Sequence, residues 1–276
     1  MKKRLTICII GLFCLTSAFA QSQGRFLDIQ LGGGLHSMQY HNLDGSNNYG
    51  GGGLFGVSYR YMFHKNWGFG VGFELNYAHA TLQLDAIRQV YDAKNDKTIN
   101  YTYENFFEDN NFLDLNVPVE MLFQTSINDK WSFLCGLGVK LSFYEYNNFA
   151  ANGIIDDGTT RIENFSASER LGANLPTIGC DAVIDLGFHY SFNEHIAIYT
   201  GLYAAYGLTN HSVADSRPLY GGEYSYGGVM GSNACPYVNS VSTGIKIGFT
   251  YGFPAPNSWD DGSTDESAPA PFSVAY

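Results

Sequence analysis

The chain has 276 residues, 32 of them glycine, with aromatic side chains at 16% and a formal net charge of −11. An acidic balance of this kind argues against nucleic acid as a partner and against polybasic attachment to anionic lipid. No apolar run of eighteen residues follows position 20, so spanning helices are excluded; a soluble all-β protein or a transmembrane β-barrel remains.

The first twenty residues read as a signal peptide. Lys2, Lys3 and Arg4 form a positive n-region, Ile7 to Leu15 an apolar stretch, and Ala18-Phe19-Ala20 a small-x-small cleavage site. A membrane anchor would need a longer apolar run. A lipoprotein would need a small residue before its cysteine, and Cys8 and Cys14 follow Ile7 and Phe13. Cleavage before Gln21 removes three cations, leaving 12 Lys+Arg against 26 Asp+Glu and a formal charge of −14. The expected layout is a signal peptide over 1–20, a barrel over 21–253 and a flexible tail over 254–276. That tail, with Pro254, Pro256, Pro269 and Pro271 among acids, has linker chemistry.

Eight strands follow in chain order, each alternating with period two. The first, about Arg25 to Tyr40, shows Leu27, Ile29, Leu31 and Leu35. The second, about Gly53 to Phe63, shows Phe55, Val57, Tyr59 and Tyr61. The third is "WGFGVGFELNY", Trp67 to Tyr77, with an extension to Asp85; its bulky residues alternate with Gly68, Gly70, Gly72, Glu74 and Asn76. The fourth spans about Phe112 to Gln124, the fifth Trp131 to Phe143, the sixth Thr177 to Phe192 and the seventh Ile196 to Tyr206. The eighth, "SVSTGIKIGFTYGF", sets Ile245, Ile247, Phe249, Tyr251 and Phe253 against small and polar residues.

Three short polar turns, "FHKNW", "INDKW" and "SFNEH", end at Trp67, Trp131 and His195, each 64 residues after the last. Three tight turns on one side and four long connections on the other, including 148–176 and 210–236, are the plan of an eight-stranded antiparallel up-and-down transmembrane β-barrel. The bulky face meets lipid. The glycine-rich face meets a lumen too narrow for large side chains at every position. A soluble lipocalin-like barrel would reverse the faces and carry charges outward, where this sequence has almost none.

By alternation, Asp28, Arg60, Glu74, Asp114, Glu120, Lys140, Asp181, Asp185 and Lys246 point inward. Buried charges must pair or hold water, so they are expected to form a plugging network, with an ion path as the alternative. Trp67, Trp131, Tyr61, Tyr190, Tyr251 and Phe253 are expected at the membrane interface, where amphipathic rings favour the headgroup level. Cys135 and Cys180 fall at opposite ends of neighbouring strands, too far apart to bridge.

The stretch "NNFLDLNVPVEMLFQ", Asn110 to Gln124, resembles the PorT-like and OmpA-type β-barrel family of Bacteroidetes outer membranes; "LGGGLHSMQY" and the Phe253 strand end are similar to that group too. The resemblance covers about Gly24 to Phe253 and implies an integral outer-membrane protein. OmpA proteins continue into a peptidoglycan-binding domain, for which this sequence offers only the linker-like tail.

Catalytic and cofactor chemistry is sparse. Gly68-x-Gly70-x-Gly72 precedes no helix, so it is not a nucleotide loop. A calcium loop from Asp92 fails at Lys94, Lys97 and Tyr103, which leaves loosely held Ca²⁺ among Asp156, Asp157 and Glu108 as an open alternative to solvated loop acids. The histidines form no triad with Ser and Asp at a common height. The sequence therefore predicts no enzyme, no cofactor and no resident metal. It predicts a bacterial outer-membrane barrel that is structural or meets partners through its loops, surrounded by outer-membrane lipid and lipopolysaccharide. A protein partner is expected at the extracellular loops or on the periplasmic side, and no nucleic acid. A narrow porin-like channel and a barrel subunit of a secretion or assembly complex are the alternatives.

Overall fold

Strict alternation gives each strand two unlike faces, and a sheet with one lipid-facing side must close on itself to leave no edge in the bilayer. The structure, a computed structural model, describes residues 24–41, 46–92, 96–170, 178–211, 219–220, 226–232, 235 and 237–253. The expected signal peptide and tail lie outside the described residues. The strands are β1 (Gly24–His41), β2 (Ser46–Asn48), β3 (Gly50–Met62), β4 (Trp67–Asp92), β5 (Lys97–Ser126), β6 (Trp131–Asp156), β7 (Arg161–Arg170), β8 (Gly179–Ser191), β9 (Ile196–Gly207) and β10 (Tyr237–Phe253).

Eight of them form a closed antiparallel ring. Each pairs with its neighbours in the order β1, β3, β4, β5, β6, β8, β9, β10, and β10 returns to β1 from Arg25↔Phe253 to His41↔Tyr237. β2 and β7 lie outside the ring and, among the described residues, pair only with the upper parts of β4 and β6. The tight turns are held locally: the Asn128 Oδ1 accepts from the amides of Lys130 and Trp131, and the Asn193 Oδ1 from those of His195 and Ile196. An asparagine that mimics the backbone in this way explains why it recurs at the second and third turns.

Side-chain exposure divides every ring strand. On β1, Leu31 and Leu35 are exposed while Phe26, Asp28 and His36 are buried; on β10, Ile245, Ile247 and Phe249 face out and Lys246 and Thr250 face in. Small residues are required where backbones meet closely. Gly34 and Gly244 lie opposite each other, and a Cβ on Gly34 would stand 2.1 Å from the Thr243 carbonyl oxygen.

The sequence-based strands correspond to the ring, with differences in its upper part: the third reaches Asp92 and not Asp85, and the short β2 lies in an expected connection. The fourth expected strand begins fifteen residues earlier, at Lys97, and the expected loop 148–176 contains the end of β6 and all of β7. The reason is visible on β4. From Trp67 to Tyr77 the odd positions are apolar and face out. From Ala78 to Leu84 the even positions, Ala78, Ala80, Leu82 and Leu84, are apolar and buried, while His79, Thr81, Gln83 and Asp85 face out. The strand runs straight on, but its apolar side changes face, because above Tyr77 its surroundings change from lipid to water.

One ladder is interrupted within the membrane wall. β4 and β5 pair from Trp67↔Phe123 to Val71↔Val119 and again from Glu74↔Asn116 in the same register, with Gly72 and Phe73 skipped opposite Pro118 and Val117. A proline has no amide hydrogen to give to a neighbouring strand.

Candidate functional site

Two regions gather the polar chemistry: the lumen and the extracellular mouth above it. In the lower lumen, β3 contributes Arg60 and β1 contributes Asp28. Arg60 Nε donates to Asp28 Oδ2 at 2.5 Å and Nη2 to Oδ1 at 2.9 Å, a bidentate pair. Thr250 Oγ1 donates to the same carboxylate at 2.5 Å, and the Phe26 ring lies 5.1 Å from the guanidinium carbon. Arg60 Nη2 also lies 3.1 Å from His189 Nε2. Arginine only donates, so His189 presents a lone pair there and is neutral.

Higher up, β4, β6, β8 and β10 meet across the lumen. Lys140 Nζ donates to Glu74 Oε1 at 3.2 Å; Lys246 Nζ donates to Asp185 Oδ2 at 2.9 Å and stands 3.8 Å from Glu74 Oε2. The Tyr203 ring lies 5.2 Å from the Lys246 ammonium. Glu120 borders this group through Gly136, where a Cβ would come within 2.5 Å of Glu120 Oε2. Asp181 accepts from Ser142 Oγ at 3.4 Å, and Asp114 lines the same upper lumen. The structure thus brings the nine charged residues into the lumen in two linked groups, Arg60 with Asp28 below and Lys140 and Lys246 with carboxylates above.

Of the six aromatics expected at the interface, Trp67, Trp131 and Tyr251 are exposed at the turn end of the barrel, where Trp67 packs on Phe123 and Trp131 on Tyr190. Phe253 contacts Tyr251 with ring centroids 5.3 Å apart. Tyr61 differs: only 6% exposed, it is covered on its sheet face by Phe69, its partner on β4, at 5.4 Å. Two aromatic rings directly opposite on one sheet face shield each other, which alternation alone does not register.

Above the membrane, β4, β5, β6 and β7 continue as an open sheet, and described parts of the β9–β10 connection lie against its inner face. Leu219, Tyr226, Val229, Met230 and Cys235 are buried there with Leu82, Leu84, Tyr103, Phe106, Phe149 and Ile155. This is a small water-type core set on top of a membrane barrel. Tyr226 stands in a cage of Phe106, Phe149 and Phe165, with ring centroids at 5.2, 5.6 and 5.6 Å.

At the bottom of that cage is Glu108, which is fully buried. It is therefore not a solvated loop acid or a ready calcium ligand. Its carboxylate accepts from the Tyr226 hydroxyl, from the Val229 amide at 2.9 Å and from Asn110 Nδ2 at 2.9 Å. Burial pushes the Glu108 carboxyl above the usual range although these three donors pull it down. The sequence signal for this cap was the change of apolar face at Ala78 together with the tyrosine-rich "LYGGEYSYGG". Asp156 and Asp157, in contrast, stay near solvent: Asp157 Oδ1 accepts from the Thr159 and Thr160 amides, and Asp156 joins Glu104 around Arg161. Among the described residues, no cluster of three or more His, Cys, Asp or Glu is arranged to hold a metal ion.

A closed ring of eight amphipathic strands, apolar outside and charged inside, defines a transmembrane β-barrel of the bacterial outer membrane. Residues 19–213 match the model of the outer membrane protein beta-barrel domain, and the chain belongs to that family. No curated protein matches the sequence. Similar solved structures include the attachment invasion locus protein Ail of Yersinia pestis, at 13% identity with 83% of this chain and 98% of that one covered and a TM-score of 0.33. Outer membrane protein OprG from Pseudomonas aeruginosa is similar at 16% identity, 86% and 99% coverage and TM-score 0.37. The outer membrane protease OmpT from Escherichia coli is similar at 9% identity, 83% and 97% coverage and TM-score 0.36.

Proposed function

We propose that this protein is a non-enzymatic surface barrel, exported by a cleaved signal peptide, that engages an extended segment of a protein partner through its extracellular sheet while a charged plug fills its lumen. One observation carries the reading: β7 pairs with β6 along one edge, and among the described residues its other edge has no strand partner. An unpaired edge carries a row of backbone donors and acceptors that accept a further strand. Ser166, Ser168 and Glu169 beside it are exposed. Lipopolysaccharide and outer-membrane lipid are the expected surroundings of the apolar wall. Support for the plug comes from the Arg60–His189 and Lys246–Glu74 contacts, which reach across the narrow interior between strands that are not neighbours in the ring.

The test is site-specific photocrosslinking on intact cells from position 168, in the exposed edge strand, and from position 130, in a turn at the other end. Protein adducts from position 168 alone support the surface reading. Adducts from position 130 alone favour the PorT-like reading, a barrel subunit of a secretion or assembly complex working from the periplasmic side. Planar-bilayer recording tests the plug, which predicts no steady conductance; steady conductance would favour the narrow channel.

A further inference from the structure

The upper lumen contains a chamber between the Lys140–Glu74 pair and the floor of the cap, where Met38 and Phe112 separate it from the dry extracellular core. Its wall includes His36, Asp114, Asn116, Asp181 and the ammonium-bearing Lys140. Five buried polar atoms on this wall have no hydrogen-bond partner within the protein: His36 Nε2, Asp114 Oδ1, Asn116 Oδ1, Asn116 Nδ2 and Asp181 Oδ1. Asn116 is 1% exposed and neither end of its amide is paired, which is rare for a buried amide.

We propose that this chamber is a built hydration site holding one or two long-lived waters that join His36, Asp114, Asn116 and Asp181 into one network. The chemistry selects the ligand. Three of the five atoms are oxygens that accept and one is an amide nitrogen that donates, so the occupant must give at least two hydrogen bonds and accept at least one. Water does both. The volume open to water centres is about 20 Å³, and a single water needs about 10–15 Å³. A metal cation fits less well, because the Lys140 ammonium lines the same wall.

The experiment is nuclear magnetic resonance on the full mature protein in lipid nanodiscs, reading cross-relaxation from water to the Asn116 side-chain amide protons. The expected result is direct water cross-peaks at Asn116 and at backbone amides around His36 and Ser242. Those around His36 and Ser242 should be lost in Asn116→Leu, whose larger apolar side chain fills the chamber. Should that variant fail to fold, the wild-type spectrum still decides. Wild-type Asn116 protons without water cross-peaks would overturn the proposal. So would shifts at Asp114 and Asp181 on exchanging potassium chloride for sodium chloride, which would assign the chamber to a cation.

Discussion

Replacing Lys246 by Met tests whether the lumen charges hold the barrel together. The ammonium lies 2.9 Å from Asp185 and 3.8 Å from Glu74, and its side chain is 9% exposed. At an effective dielectric of about 20, these separations correspond to roughly 6 and 4 kcal/mol of attraction, opposed by several kcal/mol of desolvation for each ion. Glu74 keeps Lys140 in the variant, whereas Asp185 loses the Lys246 ammonium bonded to it. The expected loss is therefore that of a broken buried pair, about 3–5 kcal/mol. Lys246→Met combined with Asp185→Leu removes both charges and should recover at least about 2 kcal/mol of that loss as coupling. The assay is urea unfolding followed by the mobility difference between folded and boiled protein on gels. A single variant within about 0.5 kcal/mol of wild type, or a double variant whose loss equals the sum of the singles, would refute the reasoning.

The cap should respond to pH with a defined sign. Glu108 has a raised carboxyl in the closed cap, so its contribution is fully present below the ordinary glutamate value of about 4.3 and is lost as pH rises through the folded value. Hydrogen exchange at the Val229 amide, corrected for intrinsic base catalysis, should show easier opening with rising pH in wild type and a flat profile in Glu108→Gln. Tyr226→Phe keeps the ring in its cage and should cost about 1–3 kcal/mol of cap stability through the lost hydroxyl, whereas Tyr226→Ala should cost about 3–5 kcal/mol by emptying it. Protection of cap amides measures both. Gly34→Val should lower the urea midpoint by an amount equivalent to about 1–3 kcal/mol, because its Cβ meets the Thr243 carbonyl and not a movable side chain.

The ring was legible because period-two alternation is enforced by two solvents at once. Leu27, Ile29 and Leu31 must face lipid, so Asp28 and Gln30 must face the lumen, and one register satisfies both. The cap was hidden for the converse reason. Beyond Tyr77 the apolar residues appear at Ala78, Ala80, Leu82 and Leu84, out of phase with the membrane set, so the expected extension to Asp85 carried no lipid face and gave no sign of a second core. Partners for the charged residues were not legible either. Alternation assigns a side of the sheet but not a height or a reach across the lumen, so the meeting of Lys246 with Glu74 on β4 needed coordinates. Tyr61 illustrates the same limit on the outside, since its cover comes from the strand paired with it.

The length of β4 sets how far the protein stands out from the cell. Its lipid-facing run ends at Tyr77, and the strand continues to Asp92. Fifteen further residues at about 3.3 Å each extend roughly 50 Å along the strand, or about 35 Å along the membrane normal at a tilt near 45°. The tip of this hairpin, with Ile87 and Tyr91 both 63% exposed, is thus carried far beyond the lipid headgroups. The chain thus spends more length on this one projecting hairpin than on crossing the bilayer twice, on a barrel whose membrane-embedded part is among the smallest that can close.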